Sequence, residues 1–528
     1  MFRESRFRWR YSEWLPAPSP QQAFSVSEIT MQDRRRFVRN SIGAVTGSVA
    51  SLAWLPKLAA DDVAVAPEHV RFHDDIEPLV RLLEDTPRRQ IVDQVFGEIR
   101  HGRSYQELLA ALFLAGIRNV QPRPAVGFKF HSVLVVYSAH QASLAAVDQH
   151  RWTPLLWSID YFKRAQQSDV REGDWTMAAA PSSNLPDPQK ALRSLDDALT
   201  RWDVEAADAA ATTVARTASA AQILDLLSKH AARDYRSIGH KSIYLANAFR
   251  TLGVIGWQHA EPVVRSLCYA ILNHTGDPNP ATSDLEVDRV GRSNWKLADQ
   301  FSAGWLSSER KPIESATVAK ELRTSSPEQA SEFVLQLIQS GCHPDSVYDG
   351  IMVAAAEMVS RQAAIVPLHA VTTSNAMRFL YRTAHDDRTR KWLLLQNAAF
   401  IPHFRRSAED RGKLNDTDLL QLSPSEDDST DLDSVFDLVR KDRPEAARAV
   451  LKLASQPQVT HRLIGQAREL VFLKGNDAHD YKFSSAALED YQQIAPIWRA
   501  RYLAGCSYLL HGRSERTTDL AERVLQFG

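Results

Sequence analysis

Past residue 70, apolar positions recur every three or four residues and almost never alternate. In "DDIEPLVRLLEDT", Ile76, Leu79, Val80 and Leu83 fall on one helical face. "SYQELLAALFLAGI" opens on a capping Ser104, and its glycine predicts an end near Gly116. "DPQKALRSLDDALTRW" sets Asp187 as a cap before a first-turn Pro188. "SAAQILDLLSKHAARD" and "SSPEQASEFVLQLIQSG" open on capping signals, and the second closes at Gly341. The pattern predicts about twenty helices and no strand series. The expected fold is all-α, built of stacked helical hairpins as a bundle or a solenoid-like array. No fixed-period repeat is evident.

Three stretches break the helical pattern: residues 178–188, 273–284 and 422–434. The last is acidic but lacks the glycine and ligand spacing of a calcium loop, so it reads as a solvated linker. The expected organisation is an unstructured extension over 1–30, a signal over 31–60, a main helical domain over 61–421, the linker over 422–434 and a C-terminal helical module over 435–528.

The signal is the sharpest motif. Arg34, Arg35, Arg36, Phe37, Val38 and Arg39 match a twin-arginine consensus. An apolar run from Ile42 to Leu55 follows, shorter than the roughly 20 residues of a membrane span, and Ala60 before Asp61 offers a small-residue cleavage point. Export to the periplasm or another extracytoplasmic space is expected, with no integral membrane anchor after signal removal. Met31, just ahead of the motif, is a candidate start.

Composition trims the function classes. The chain has 528 residues, 44 % hydrophobic and 24 % charged, with formal net charge −1. Beyond residue 60 it holds 54 basic and 60 acidic residues, with no basic run, so nucleic acid is not an expected partner. Three dispersed cysteines argue against a disulfide framework, a cysteine-rich zinc site or attached haem. HExxH, GxGxxG, P-loop and GxSxG motifs are absent.

Histidine is the remaining chemistry. "GFKFHSVLVVYSAH" carries His131 and His140, nine residues apart. On one continuous helix they face opposite sides, about 13 Å apart along the axis, which makes them poor candidates for ligands of one ion unless the helix breaks between them. In "GHKSIYLANAF", His240 opens a helix behind Gly239, and Tyr244 and Asn247 share its face. His259 and Glu261 lie in the turn "GWQHAEP", with Glu261 expected to pair with Arg265. In "LHAVTTSNAMRF", His369 and Thr373 share a face of a buried helix. A charged turn, Asp169 to Trp175 around Gly173, is either pocket lining or a hydrogen-bonded turn.

The segments "GFKFHSVLVVYSAHQASLA", "IGHKSIYLANAFRTLGVIGWQHAEPVVRSLCYAIL" and "LHAVTTSNAMRFLYRTAHDDRTRKWLLLQNAAF" resemble a bacterial family of twin-arginine-exported helical proteins without assigned function. They also bear a more distant likeness to the questin oxidase-like family, helical proteins associated with Baeyer–Villiger-type oxygenation. That family has histidine-bearing helices in three successive regions. This chain departs from it in "GHKSIY", with one histidine where the family has two, and lacks its long third-region flank. The likeness implies that His131, His240 and His369 meet in one cavity.

Two readings stay open. One is an oxidoreductase or metal-assisted enzyme acting on a small organic molecule, with His131, His240 and His369 catalytic and His240, His259 and Glu261 as metal ligands. No motif specifies a cofactor, and a metal ion is the expectation within this reading. The other is a non-catalytic helical scaffold binding a partner or envelope protein. A separation of more than about 10 Å among the histidines would exclude a shared ion, since ligand bonds are about 2 Å.

Overall fold

The computed structural model describes residues 68–122, 127–272 and 277–526. The extension, the twin-arginine motif, its apolar run and Ala60 lie outside the described residues. The fold is all-α. Helices succeed one another from Glu77 to Leu525, and among the described residues the only β pairing is an isolated bridge between His69 and Ala178. No helix among the described residues is long and apolar enough to cross a membrane.

Local signals account for many helix starts. Ser104, Ser219 and Ser326 each form a reciprocal capping box with the residue three positions on, satisfying amides that the first turn leaves open. Gly341 takes φ 95° just after the helix Pro327–Gln339, as its position predicts. Gly116 does not end its helix, which runs Tyr105–Asn119. Arg118 explains the continuation: fully buried, it bonds both Glu77 and Glu84 from the helix Glu77–Asp85. The helix predicted from Pro188 begins later, at Ala191. Asp187 instead accepts from the Gln189 amide in a preceding turn.

Residues from Val65 onward form one compact unit. Its main apolar core runs without interruption from Val70 to Val524. The helices beyond the expected 422–434 linker share this core, through Val435, Phe436, Val450 and Tyr502 among others. Helices far apart in sequence pack together, which is the bundle alternative rather than a solenoid, where units touch only their neighbours. Cys268, Cys342 and Cys506 are buried and free.

Four helices meet at the site described below: Gly127–Leu134, His240–Ile255, Ile365–Thr383 and Ala478–Gln493. Polar cross-links fix their register. Asn247 donates to the Leu134 carbonyl, and Arg250 makes a two-point ion pair with Glu489. Asn375 donates to Asp490, and Thr373 donates to the Ile238 carbonyl. The first three each join two of the four helices and the last ties the His369 helix to the turn before His240, so the helices are held by directional contacts as well as by apolar packing.

Candidate functional site

His131, His240, His369 and His479 converge at the centre of these helices. One ring nitrogen from each lies within 4.8 Å of every other. The rings form a closed cycle, with centroids 4.9 Å apart for His131–His240, 4.6 Å for His240–His369, 5.1 Å for His369–His479 and 4.5 Å for His479–His131. His369 is wholly buried, His131 and His240 nearly so, and the His479 side chain keeps 18 % exposure.

The backbone before His240 is unusual. Ser237, Ile238 and Gly239 have φ of 58°, 45° and 81°. A β-branched residue in the left-handed region is rare, because its Cβ crowds the backbone. This tight turn delivers His240 as the first residue of its helix. Gly239 is required on a second count: a Cβ there would lie 2.1 Å from Thr373 Oγ1 on the His369 helix. The two histidine segments therefore touch backbone to side chain.

Hydrogen bonds set the tautomers. His240 Nδ1 lies 2.7 Å from the Ser237 carbonyl, and His369 Nδ1 lies 2.7 Å from the Ile365 carbonyl. Carbonyls only accept, so both Nδ1 atoms carry the proton and both Nε2 atoms present lone pairs. His479 Nδ1 lies 2.5 Å from Asp477, the N-cap of its helix, and its Nε2 has no hydrogen-bond partner. Three bare Nε2 atoms thus point inward. His240 Nε2 lies 2.9 Å from His131 Nε2 and 3.1 Å from His369 Nε2. In the second contact neither neutral ring has a proton to share.

Charge cannot relieve this. Burial, and then the nearby Lys482 ammonium, push His131 and His240 well below the ordinary histidine range. Burial, then His240, does the same for His369. His479 is lowered by burial and Lys482 despite the opposing pull of Asp477. All four are neutral imidazoles near pH 7, the form that binds metals. Lys482, one turn after His479, is buried, its Nζ has no hydrogen-bond partner, and burial pushes it down to about 7.

The donor set is that of a borderline transition ion. Imidazole suits zinc, copper, iron and nickel, whereas calcium and magnesium take oxygen ligands. Metal–nitrogen bonds of about 2.0–2.1 Å place tetrahedral ligand atoms about 3.3 Å apart, a few tenths of an ångström beyond the two contacts seen here. The Asp477–His479 pair has the carboxylate–histidine arrangement that orients metal-binding rings.

The cluster gathers His131, His240 and His369 from the expected set, and adds His479. His259 and Glu261 are not part of it. The His240–Ile255 helix has 16 residues, a length of about 24 Å. His240 opens that helix and the turn carrying His259 and Glu261 follows its far end, so the three cannot share an ion. His259 packs its ring against His73, and Glu261 pairs with Arg216. Arg265, expected to meet Glu261, holds Asp208 instead. His140 lies away from the cluster, 3.3 Å from the Tyr105 hydroxyl. The turn around Gly173 is of the hydrogen-bonded kind: Asp169 takes the Gln121 and Trp175 amides and the Lys129 ammonium.

His479 was missed because it sits in a polar stretch, "GNDAHDYKFSS", with no apolar run to draw notice. A signal was present: His479, Lys482 and Glu489 recur at intervals of three and seven, one face of one helix.

An all-α bundle with a buried four-histidine cluster is the class of protein that fold and site define. Comparison with family models, with curated proteins and with solved structures gives no match.

Proposed function

We propose that this chain is a metal-dependent protein in which His131, His240, His369 and His479 hold one divalent transition ion. On this reading it is an enzyme that carries out oxidation or another metal-assisted reaction on a small organic molecule. The observation that carries the metal reading is the convergence of unprotonated Nε2 atoms, with a 3.1 Å contact that no proton bridges. Buried polar atoms ordinarily have partners, and a cation shared by the lone pairs supplies one. Such an ion would supply Lewis acidity or, if redox-active, an electron.

Access supports the small-molecule part. An apolar cleft, open to solvent, is lined by Leu368, Phe483, Leu503 and Cys506, and His479 forms part of its wall. His479 thus belongs both to the cluster and to the wall of a solvent-connected apolar cleft. Asp480 and His511, paired at 3.3 Å, give that wall a polar point. The Arg34–Arg39 motif supports export by the twin-arginine route, which carries folded proteins.

The test is elemental analysis after loading with zinc, copper, iron or cobalt salts, run beside His240→Ala and His479→Ala. One ion per chain in the wild type and a marked loss in both variants is expected. Equal uptake by wild type and variants would overturn the reading. For export, replacing Arg34 and Arg35 by Lys is expected to strand the protein in the cytoplasm, and undiminished export would refute that part.

A further inference from the structure

A second, much smaller cavity lies against three of the same four helices. Its polar lining includes Ser138, Asn247, Arg250, Thr372, Asn375 and Lys482. Three of the four helices contribute, each C-terminal to its histidine: Asn247 is seven residues after His240, Thr372 three after His369 and Lys482 three after His479, while Ser138 comes from the next helix, Val136–Leu144. At about 1.5 Å per residue, these offsets put the cavity one to two helical turns from the ring cycle.

Its hydrogen bonding is incomplete. Lys482 Nζ and Thr372 Oγ1 are buried and have no partner. Arg250, by contrast, bonds Glu489, Asn247 and Asn375 through both terminal nitrogens. The charges nearby do not cancel either. A divalent ion on four neutral imidazoles brings two positive charges, and Lys482 a third when protonated. Asp477 returns one. Glu489 is taken by Arg250, Asp480 by His511, and burial holds Asp490 up to about 7. Uncompensated positive charge in a buried site is costly, and a counter-ion removes the cost.

Resting on the metal reading above, we propose that this cavity is a binding site for a small anion, the size of chloride, azide or formate, held by Lys482 and Thr372 beside the metal centre. The substrate or co-substrate of the centre then carries, or is accompanied by, a compact negative group. The apolar cleft beside His479 has no unpaired cation and does not offer such a place.

The experiment uses the full chain loaded with cobalt(II), whose visible absorption reports its surroundings. Sodium azide and sodium chloride are titrated in at constant ionic strength. A saturable spectral change is expected in the wild type. Lys482→Met replaces an unpartnered buried amine with an apolar chain of similar length, so it is expected to fold and to keep cobalt. Its azide affinity is expected to fall about tenfold or more, the loss of a charged hydrogen bond. Thr372→Val, a milder change, is expected to weaken azide a few-fold. Cobalt uptake with no anion response, or the same response in wild type and Lys482→Met, overturns the anion site alone. Absence of cobalt uptake overturns the metal reading and this one with it.

Discussion

Gly239→Ala tests the packing that places His240. The native φ is 81°, a region that costs an L-residue about 1–2 kcal/mol. The new methyl would lie 2.1 Å from Thr373 Oγ1 and 2.5 Å from its Cγ2, so the two segments must part. Overpacking of this kind costs about 1–3 kcal/mol. The total is a destabilisation of about 2–5 kcal/mol, read by urea denaturation. A double-mutant cycle separates the two parts. Thr373→Ala removes both the hydroxyl and the methyl, leaving its Cβ at 2.8 Å, and should lessen the packing part only. In the Thr373→Ala background, Gly239→Ala should still cost at least the backbone part, about 1–2 kcal/mol. Metal affinity should fall as well, because His240 directly follows the displaced residue. A Gly239→Ala protein within about 0.5 kcal/mol of wild type, with unchanged metal uptake, would refute the claim that this turn is tightly specified.

Other expectations follow from the same structure. Asp477→Asn should weaken metal binding by about 10–100-fold, the usual effect of losing a carboxylate behind a ligating ring; competition with a chromophoric chelator measures it, and an unchanged affinity would count against the assignment of His479. Arg118→Leu should destabilise by about 3–5 kcal/mol, since Glu77 and Glu84 would be left buried without their cation, and denaturation at neutral pH reads it. Acid should destabilise the fold through His140, which burial lowers to about 4. The unfolded chain binds that proton from about pH 6.5 downward while the folded one does not, so stability is full above pH 6.5 and declines as pH falls toward 4. At about 1.4 kcal/mol per pH unit, the loss approaches 3 kcal/mol by pH 4. His140→Gln should flatten that limb of the stability curve, and an unaltered slope would contradict it.

The all-α class was legible because helical periodicity and serine caps are local. Ser104, Ser219 and Ser326 carry their boxes within four residues of sequence. Gly116 misled because its helix end was decided by Arg118, whose two carboxylate partners lie 34 and 41 residues away. The site shows the same division. His240 behind Gly239 and His369 on a buried face were visible as candidates. His259 and Glu261 looked equally good, since a turn dense in polar groups gives no hint that a whole helix separates it from His240. His479 lay in a region expected to be a separate module. What brings it to His131 is packing between helices that no local pattern encodes.

The four histidines are spread over two-thirds of the chain, with His131 and His479 348 residues apart. A polypeptide still being made, or one cut short before its last fifty residues, has three of the rings and no fourth. On the metal reading, the ion cannot guide early steps of folding, because its cage does not exist until the last helices have docked. It would act instead as proof of completion: only a finished and correctly assembled molecule would carry it, and any cell machinery that waited for the loaded form would in effect be waiting for the whole chain.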